Sequence, residues 1–203
     1  MAESTENRII NKIKKAKRGT VFFIDDFVSF GETKTVSKIL ERLVAKEEIL
    51  RVARGIYTRP EESKLLGTVL TPSTETIAKA IARRDRARII PTGIYALNVL
   101  GLSTQIPMNV VYLTDGAARK IQIGKRTILF KKTAPKNLAA IGEISSLVIQ
   151  ALKVIGKDKI TTEEQEKLIA ILKKENPTRL QNDIRLAPEW IRKIMRTALS
   201  ENL

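Results

Sequence analysis

Residues 33 to 58 constrain this chain more than any other stretch, because a one-sided helix runs there almost directly into a tight turn between two strands. In Thr33-Lys34-Thr35-Val36-Ser37-Lys38-Ile39-Leu40-Glu41-Arg42-Leu43-Val44 the apolar residues Val36, Ile39, Leu40, Leu43 and Val44 recur at i, i+3, i+4, i+7 and i+8. That spacing is one buried helical stripe. Ile49-Leu50-Arg51-Val52-Ala53 and Ile56-Tyr57-Thr58 then read as strands joined across Arg54-Gly55, where glycine supplies the positive φ of a two-residue hairpin turn. The helix leaves Thr33, Lys34, Thr35, Ser37, Lys38 and Arg42 outside its stripe: short hydroxyls and cations of the kind that reach base edges and phosphates. A helix followed by such a hairpin is the plan of a winged helix-turn-helix, with Arg54 at the tip of the wing.

Charge agrees with a polyanionic partner. The 203 residues carry 37 Lys+Arg against 22 Asp+Glu, a net +15, spread as +5, +7 and +3 over residues 1–60, 61–135 and 136–203. Each phosphate neutralised by such a surface releases a condensed counterion. The chain has no cysteine and no histidine. Disulfides, thiolate or imidazole metal sites, and Ser-His-Asp or Cys-His nucleophiles are therefore excluded, and no cofactor is expected. The start, Met1-Ala2-Glu3-Ser4-Thr5-Glu6, is polar and acidic, and no apolar run of about 18 residues occurs, so a cytoplasmic protein without a membrane span is expected.

Along the chain, Ser4 is placed to cap a first helix burying Ile9, Ile10, Ile13 and Ala16. Val21–Ile24 reads as a strand pairing with the wing, and Asp25 or Asp26 opens a brief helix holding Phe27 and Val28. Arg59-Pro60-Glu61-Glu62-Ser63 breaks the pattern and marks a boundary between residues 1–60 and 61–203. Beyond it, Thr71-Pro72 reads as the start of a helix through Ile81, Gly93–Leu100 as a short helix burying Ile94 and Leu97, and Asn109–Thr114 as a buried strand. Lys120–Ile123 and Thr127–Phe130 form a hairpin over Gly124-Lys125. Helices are expected over Glu143–Ile155, Thr162–Lys174 with a Thr162/Gln165 capping box, and Pro188–Leu199, with Trp190 and Met195 on an apolar face and so in the core. The fold class is α+β: a winged helix-turn-helix followed by a mixed domain with a hairpin and C-terminal helices.

Other features weigh less. Arg83, Arg84, Arg86 and Arg88 form the densest cationic cluster and are a candidate partner-binding site, although cations ending a helix are stabilising in their own right. The carboxylates Asp115, Glu143, Asp158 and Asp183 lie far apart in sequence, without a phosphate-cradling loop, so no catalytic residue is assigned.

The winged start ending in Arg54-Gly55-Ile56-Tyr57, followed by Ile94-Tyr95-Ala96-Leu97-Asn98-Val99-Leu100-Gly101-Leu102-Ser103-Thr104-Gln105-Ile106-Pro107 and then a strand and hairpin, resembles the AbiEi-type antitoxins of abortive-infection systems over residues 5 to 135. The resemblance implies an N-terminal winged helix that binds and represses the promoter of its own operon, and a C-terminal region that antagonises a nucleotidyltransferase-type toxin. Thr33 to Arg42 would be its recognition helix and Arg54 its wing, with Ala96, Leu97, Leu100, Gly101, Leu102 and Pro107 as scaffold. The C-terminal helices have no counterpart motif by motif. The expected partners are thus double-stranded DNA and a toxin, with a homodimer possible; the alternatives are a stand-alone winged-helix regulator whose C-terminal domain senses a ligand or protein, and, third, an enzyme acting on nucleic acid.

Overall fold

The structure is a computed structural model that describes residues 3–63 and 67–200; Met1 and Ala2 of the polar start lie outside the described residues. Among the described residues, helices and three separate sheets make up the predicted α+β class. The chain packs as two compact units, Met1–Ile81 with Gln122–Lys125, and Ala82–Ile121 with Arg126–Leu203. No helix among the described residues is long and apolar enough to cross a membrane.

In the first unit, α1 (Thr5–Lys15) starts where its cap requires, with Ser4 Oγ accepting from Asn7 N at 3.2 Å. Strand β1 (Val21–Phe23) follows, then a 3-10 stretch, Ile24–Phe30, opened by Phe23 N donating to Asp26 Oδ2 at 2.7 Å. The brief helix expected here thus begins earlier than Asp25; Phe27 is fully buried, but Val28 faces solvent. Helix α2 (Thr33–Ala45) leads to β2 (Leu50–Ala53) and β3 (Ile56–Thr58). Strand β3 lies between β1 and β2, so the expected pairing of Val21–Phe23 with the hairpin is present, Phe23 opposite Ile56 and Val21 opposite Thr58. One core holds these elements: Ile9 and Ile13 from α1, Phe22, Phe27, the α2 stripe, Ile49 and Tyr57. The polar break after Thr58 is tied down as well. The Arg59 guanidinium donates to the carbonyls of Lys14, at 2.6 Å, and Ala16, occupying acceptors at the end of α1, and Glu61–Glu62 (β4) pairs with Val69–Leu70 (β5). Helix α3 (Thr74–Arg84) is capped by Ser73, whose Oγ accepts from Thr76 N at 3.1 Å, and not by the expected Thr71-Pro72.

A four-stranded sheet, β6 (Ile89–Thr92), β7 (Asn109–Thr114), β8 (Arg119–Ile123) and β9 (Arg126–Lys132), in the order β6-β7-β9-β8, belongs to the second unit except for Gln122 and Ile123 at the end of β8. Strands β7 and β9 run parallel, Tyr112 opposite Phe130, while β6 is antiparallel to β7. Strand β6 is an addition to the sequence reading; its Pro91 has no N–H to donate and is tolerated because β6 is an edge. In the expected hairpin Ile128 and Phe130 are buried, but Ile121 and Ile123 only partly so, since β8 is the other edge. The short helix α4 (Ile94–Val99) buries Ala96 and leaves Ile94 46% exposed, reversing the expectation for Ile94. It ends at Gly101, whose φ of 69° lets Leu102 N reach back to Leu97 O at 2.9 Å.

Four helices complete the unit: α5 (Glu143–Ile155), α6 (Thr162–Leu172), α7 (Pro177–Ile184) and α8 (Glu189–Ser200). They share a core of Val148, Leu152, Leu168, Leu172, Leu180, Ile191 and Met195, with Trp190 packed half-buried against it. The capping box of α6 is Thr161 with Glu164, one residue before the pair expected from sequence. The start of α5 is capped from a distance. Glu175 Oε2 accepts from Ile144 N at 2.8 Å and Ser145 N at 3.3 Å, and the fully buried Asp183 accepts from Ile141 N at 3.0 Å, Gly142 N at 2.8 Å and the Ser145 hydroxyl. Gly142 is required beneath this pair, because a Cβ there would come within 2.7 Å of the Glu175 carboxyl carbon.

Candidate nucleic-acid interface

The residues expected to meet DNA all lie in the first unit. Burial of Val36, Ile39, Leu40 and Leu43, each worth about 1.5–3 kcal/mol, fixes the rotation of α2 and hence what faces outward. At about 100° per residue the stripe leaves Lys34, Lys38 and Glu41 farthest from the core, with Thr33 and Ser37 on one flank and Thr35 and Arg42 on the other. Thr33, Lys34, Thr35 and Lys38 are exposed and Ser37 is half-buried. Neither Lys34 nor Lys38 has an ion pair among the described residues. Arg42 differs: its guanidinium meets Glu6 on α1 at 3.0 Å, with Lys46 3.9 Å from the same carboxylate, so part of its role is to hold the two helices together. Glu41 sits just past Lys38 on the outward face, and Glu47 and Glu48 follow the helix end, which concentrates positive charge on the N-terminal half of α2. Glu47 takes φ of 59°, the left-handed turn that closes the helix by Glu48 N donating to Leu43 O at 3.0 Å.

The hairpin tip is built as its sequence implies. Gly55 has φ of 71° and nothing within 4 Å of where a Cβ would stand, and Arg54 beside it is exposed. Below the tip, Ile56 and Tyr57 are buried, and a bulge between Arg51 and Ala53 bends β2. Burial raises the Tyr57 phenol above its ordinary value, with Arg51 opposing and Glu41 adding to the effect. Tyr57 is therefore a neutral anchor for the hairpin. Behind α2, Lys12 donates to the Asp26 carbonyl and lies 5.3 Å from the Phe27 ring centroid, while Arg8 covers Phe30 at 4.6 Å, so these α1 cations clamp the 3-10 stretch.

The arginine cluster belongs to the second unit and is divided in purpose. Arg88 is structural: its N and Nε both donate to Asp115, at 2.8 Å each, and its Nη1 to Leu138 O at 3.1 Å. Arg84 pairs with Asp85 at 2.9 Å, and Asp85 also takes Arg119. Arg83 and Arg86 are left exposed without an ion pair among the described residues, Arg86 in the left-handed position (φ of 51°) after α3. The Arg88 side chain, and then its main-chain N–H, hold the Asp115 carboxyl below its ordinary value. A carboxylate with a depressed folded pKa stabilises the fold fully above its unfolded value near 3.8 and loses that contribution as pH falls through the lower folded one. Asp115→Asn is expected to lower stability by about 1 kcal/mol at pH 7, discounted for partial exposure. The deficit should shrink progressively below pH ~4 in thermal melts; an equal deficit at pH 7 and in strong acid would contradict this.

The family model described as "Family of unknown function (DUF6088)" matches residues 8–180. The chain belongs to this family. The DUF6088 match runs from α1 into α7, across both units. No curated protein matches. Among solved structures, the chain is similar to the RV2827C protein from Mycobacterium tuberculosis, at 10% identity and a TM-score of 0.47, covering 100% of this chain and 83% of that one, a likeness too remote to argue from.

Proposed function

We propose that this DUF6088 chain is a DNA-binding antitoxin of the AbiEi type. In this reading residues 1–60 are a winged helix-turn-helix that binds the promoter of its own operon. Residues 61–203 antagonise a nucleotidyltransferase-like toxin without being an enzyme. One observation carries the DNA-binding part: α2 presents Lys34, Lys38 and hydroxyls at its N-terminal half while the same core anchors an exposed Arg54 at a hairpin tip. Helix N-terminus and cations act together there on a phosphate. Glu41, Glu47 and Glu48 would repel the backbone at the other end, which sets the direction in which α2 enters a groove. For the second part, the buried carboxylates Asp183 and Glu175 are occupied by main-chain donors, which supports a structural rather than a chemical use. Arg83 and Arg86 are the members of the cluster available to a toxin. Arg54→Ala is expected to weaken promoter binding several-fold and leave the melting temperature within about a degree or two, as for an exposed tip. A collapse in melting temperature would make Arg54 structural. Co-expression with the adjacent gene tests the antitoxin half: growth restored only when this chain is present supports it, and unrestored growth favours a stand-alone regulator.

A further inference from the structure

Helices α6 and α8 share a core through Leu168, Leu172, Ile191 and Met195, yet beside that core they leave an open groove of about 550 Å³. Its α8 wall is Trp190, Lys193, Ile194 and Thr197, spaced i, i+3, i+4 and i+7, so the groove follows α8 for about 10 Å. Lys157 and Ile160, in the turn before α6, line it as well. Trp190 packs against the bundle core but is only half-buried, which leaves part of a large apolar side chain open to the groove. Tryptophan held in this way is the residue type that most often anchors an interface. The charge around it has one sign. Lys157 and Lys193 are exposed and have no ion pair among the described residues. Glu189, the carboxylate in the lining, is already shared between Arg192 at 3.3 Å and Arg196 at 3.4 Å, so it offers no counter-charge to the lysines.

We propose that this groove docks an acidic amphipathic helix of a partner protein, its apolar stripe on Trp190, Ile194 and Ile160 and its carboxylates against Lys157 and Lys193. Two turns of α8 along the groove match a partner helix that presents anchors at i, i+3 or i+4, and i+7. The aliphatic Ile160 and Ile194 beside Trp190 suit leucine or phenylalanine anchors, whereas a nucleic-acid strand is held by a succession of aromatic platforms and this lining has one. Charge then selects among amphipathic helices: the lysines attract an acidic one and repel a basic one. The groove lies wholly in the second unit, and the inference stands whether or not the partner is the toxin proposed above and independently of promoter binding.

Trp190 is the chain's single tryptophan, so its fluorescence in the full chain reports on this groove alone. The probe is a tryptophan-free peptide of about 15 residues with leucine at i, i+3, i+4 and i+7 and glutamate on its other face, titrated at about 0.15 M salt beside the same peptide carrying lysine for glutamate. The expected result is a saturable blue shift with the acidic peptide, at a dissociation constant on the order of 10 μM, and binding of the basic peptide weaker by about tenfold or more. The double variant K157E/K193E should reverse that preference, both residues being exposed and their substitution sparing the fold. Equal responses to the two peptides, no shift with the acidic one, or an unchanged preference in the reversed variant would overturn the proposal. So would tighter binding of single-stranded oligothymidylate, which would give the groove to nucleic acid, or a shift with protein concentration alone, which would give it to a second copy of the chain. Should the double variant misfold, the wild-type comparison of the two peptides decides by itself.

Discussion

Asp183→Ala is expected to destabilise the second unit by about 3–5 kcal/mol, the range for removing a buried charged partner. Asp183 is fully buried and accepts from Ile141 N, Gly142 N, the Ser145 hydroxyl and, at 3.3 Å, Asn182 Nδ2. Alanine leaves these donors facing a void, each unsatisfied group costing about 1–3 kcal/mol before any rearrangement. No lysine or arginine pairs with Asp183 or Glu175 among the described residues, so the positive end of the 13-residue α5 and its free N–H groups supply the compensation. Asp183→Asn, which keeps the shape but turns an N–H₂ toward donors, should cost about half as much. Thermal and urea unfolding of both variants check this. A loss under about 1 kcal/mol for the alanine variant would show that water replaces the carboxylate and that α5 does not depend on it.

The charge reversals Lys34→Glu and Lys38→Glu, made together, should reduce promoter affinity by about two orders of magnitude or more while leaving the fold intact. Both side chains are exposed on the outward face of α2 and neither is tied to a neighbouring acid among the described residues, so their charge is available to the ligand. Reversal also sets four units of charge change beside Glu41 against a polyanion. As single alanine variants, each should cost about 1–3 kcal/mol if it reads a base, or flatten the salt slope by about one unit if it holds a phosphate. Arg42→Ala should be milder on DNA, because Arg42 already pairs with Glu6, and should instead loosen α1 from α2. If Arg42 proved more important than both lysines, α2 would approach DNA by its α1 flank, contrary to the proposed orientation.

What the sequence revealed follows from how local each signal was. The α2 stripe, the Arg54-Gly55 turn, the strand Asn109–Thr114 and the helix Glu143–Ile155 each declare themselves within a dozen or so residues, and the structure has them where expected. Strand β6 was hidden because Pro91 argues against a strand unless its edge position is known, and edge position is a property of the assembled sheet. Helix α7, only 8 residues long, gave too few turns for periodicity to show, although Asn176 and Pro177 do mark its start. The meeting of Glu175 with Asp183 at α5, and of Arg88 with Asp115 and Leu138, spans dozens of residues of sequence; no spacing rule reports such pairs. Hence the arginine run reads as one surface in sequence, whereas Arg88 is a clamp and Arg83 and Arg86 remain outside.

The proposal that α2 and the hairpin tip read a specific duplex is tested most directly by fluorescence anisotropy of the full chain on the duplex upstream of its own gene and on a scrambled duplex of equal length, at several salt concentrations. Binding to the upstream duplex should be tighter by about 10³-fold or more at physiological salt, with both affinities falling as salt rises. Equal affinity for the two duplexes at every salt concentration would reduce α2 to a basic surface and contradict the account.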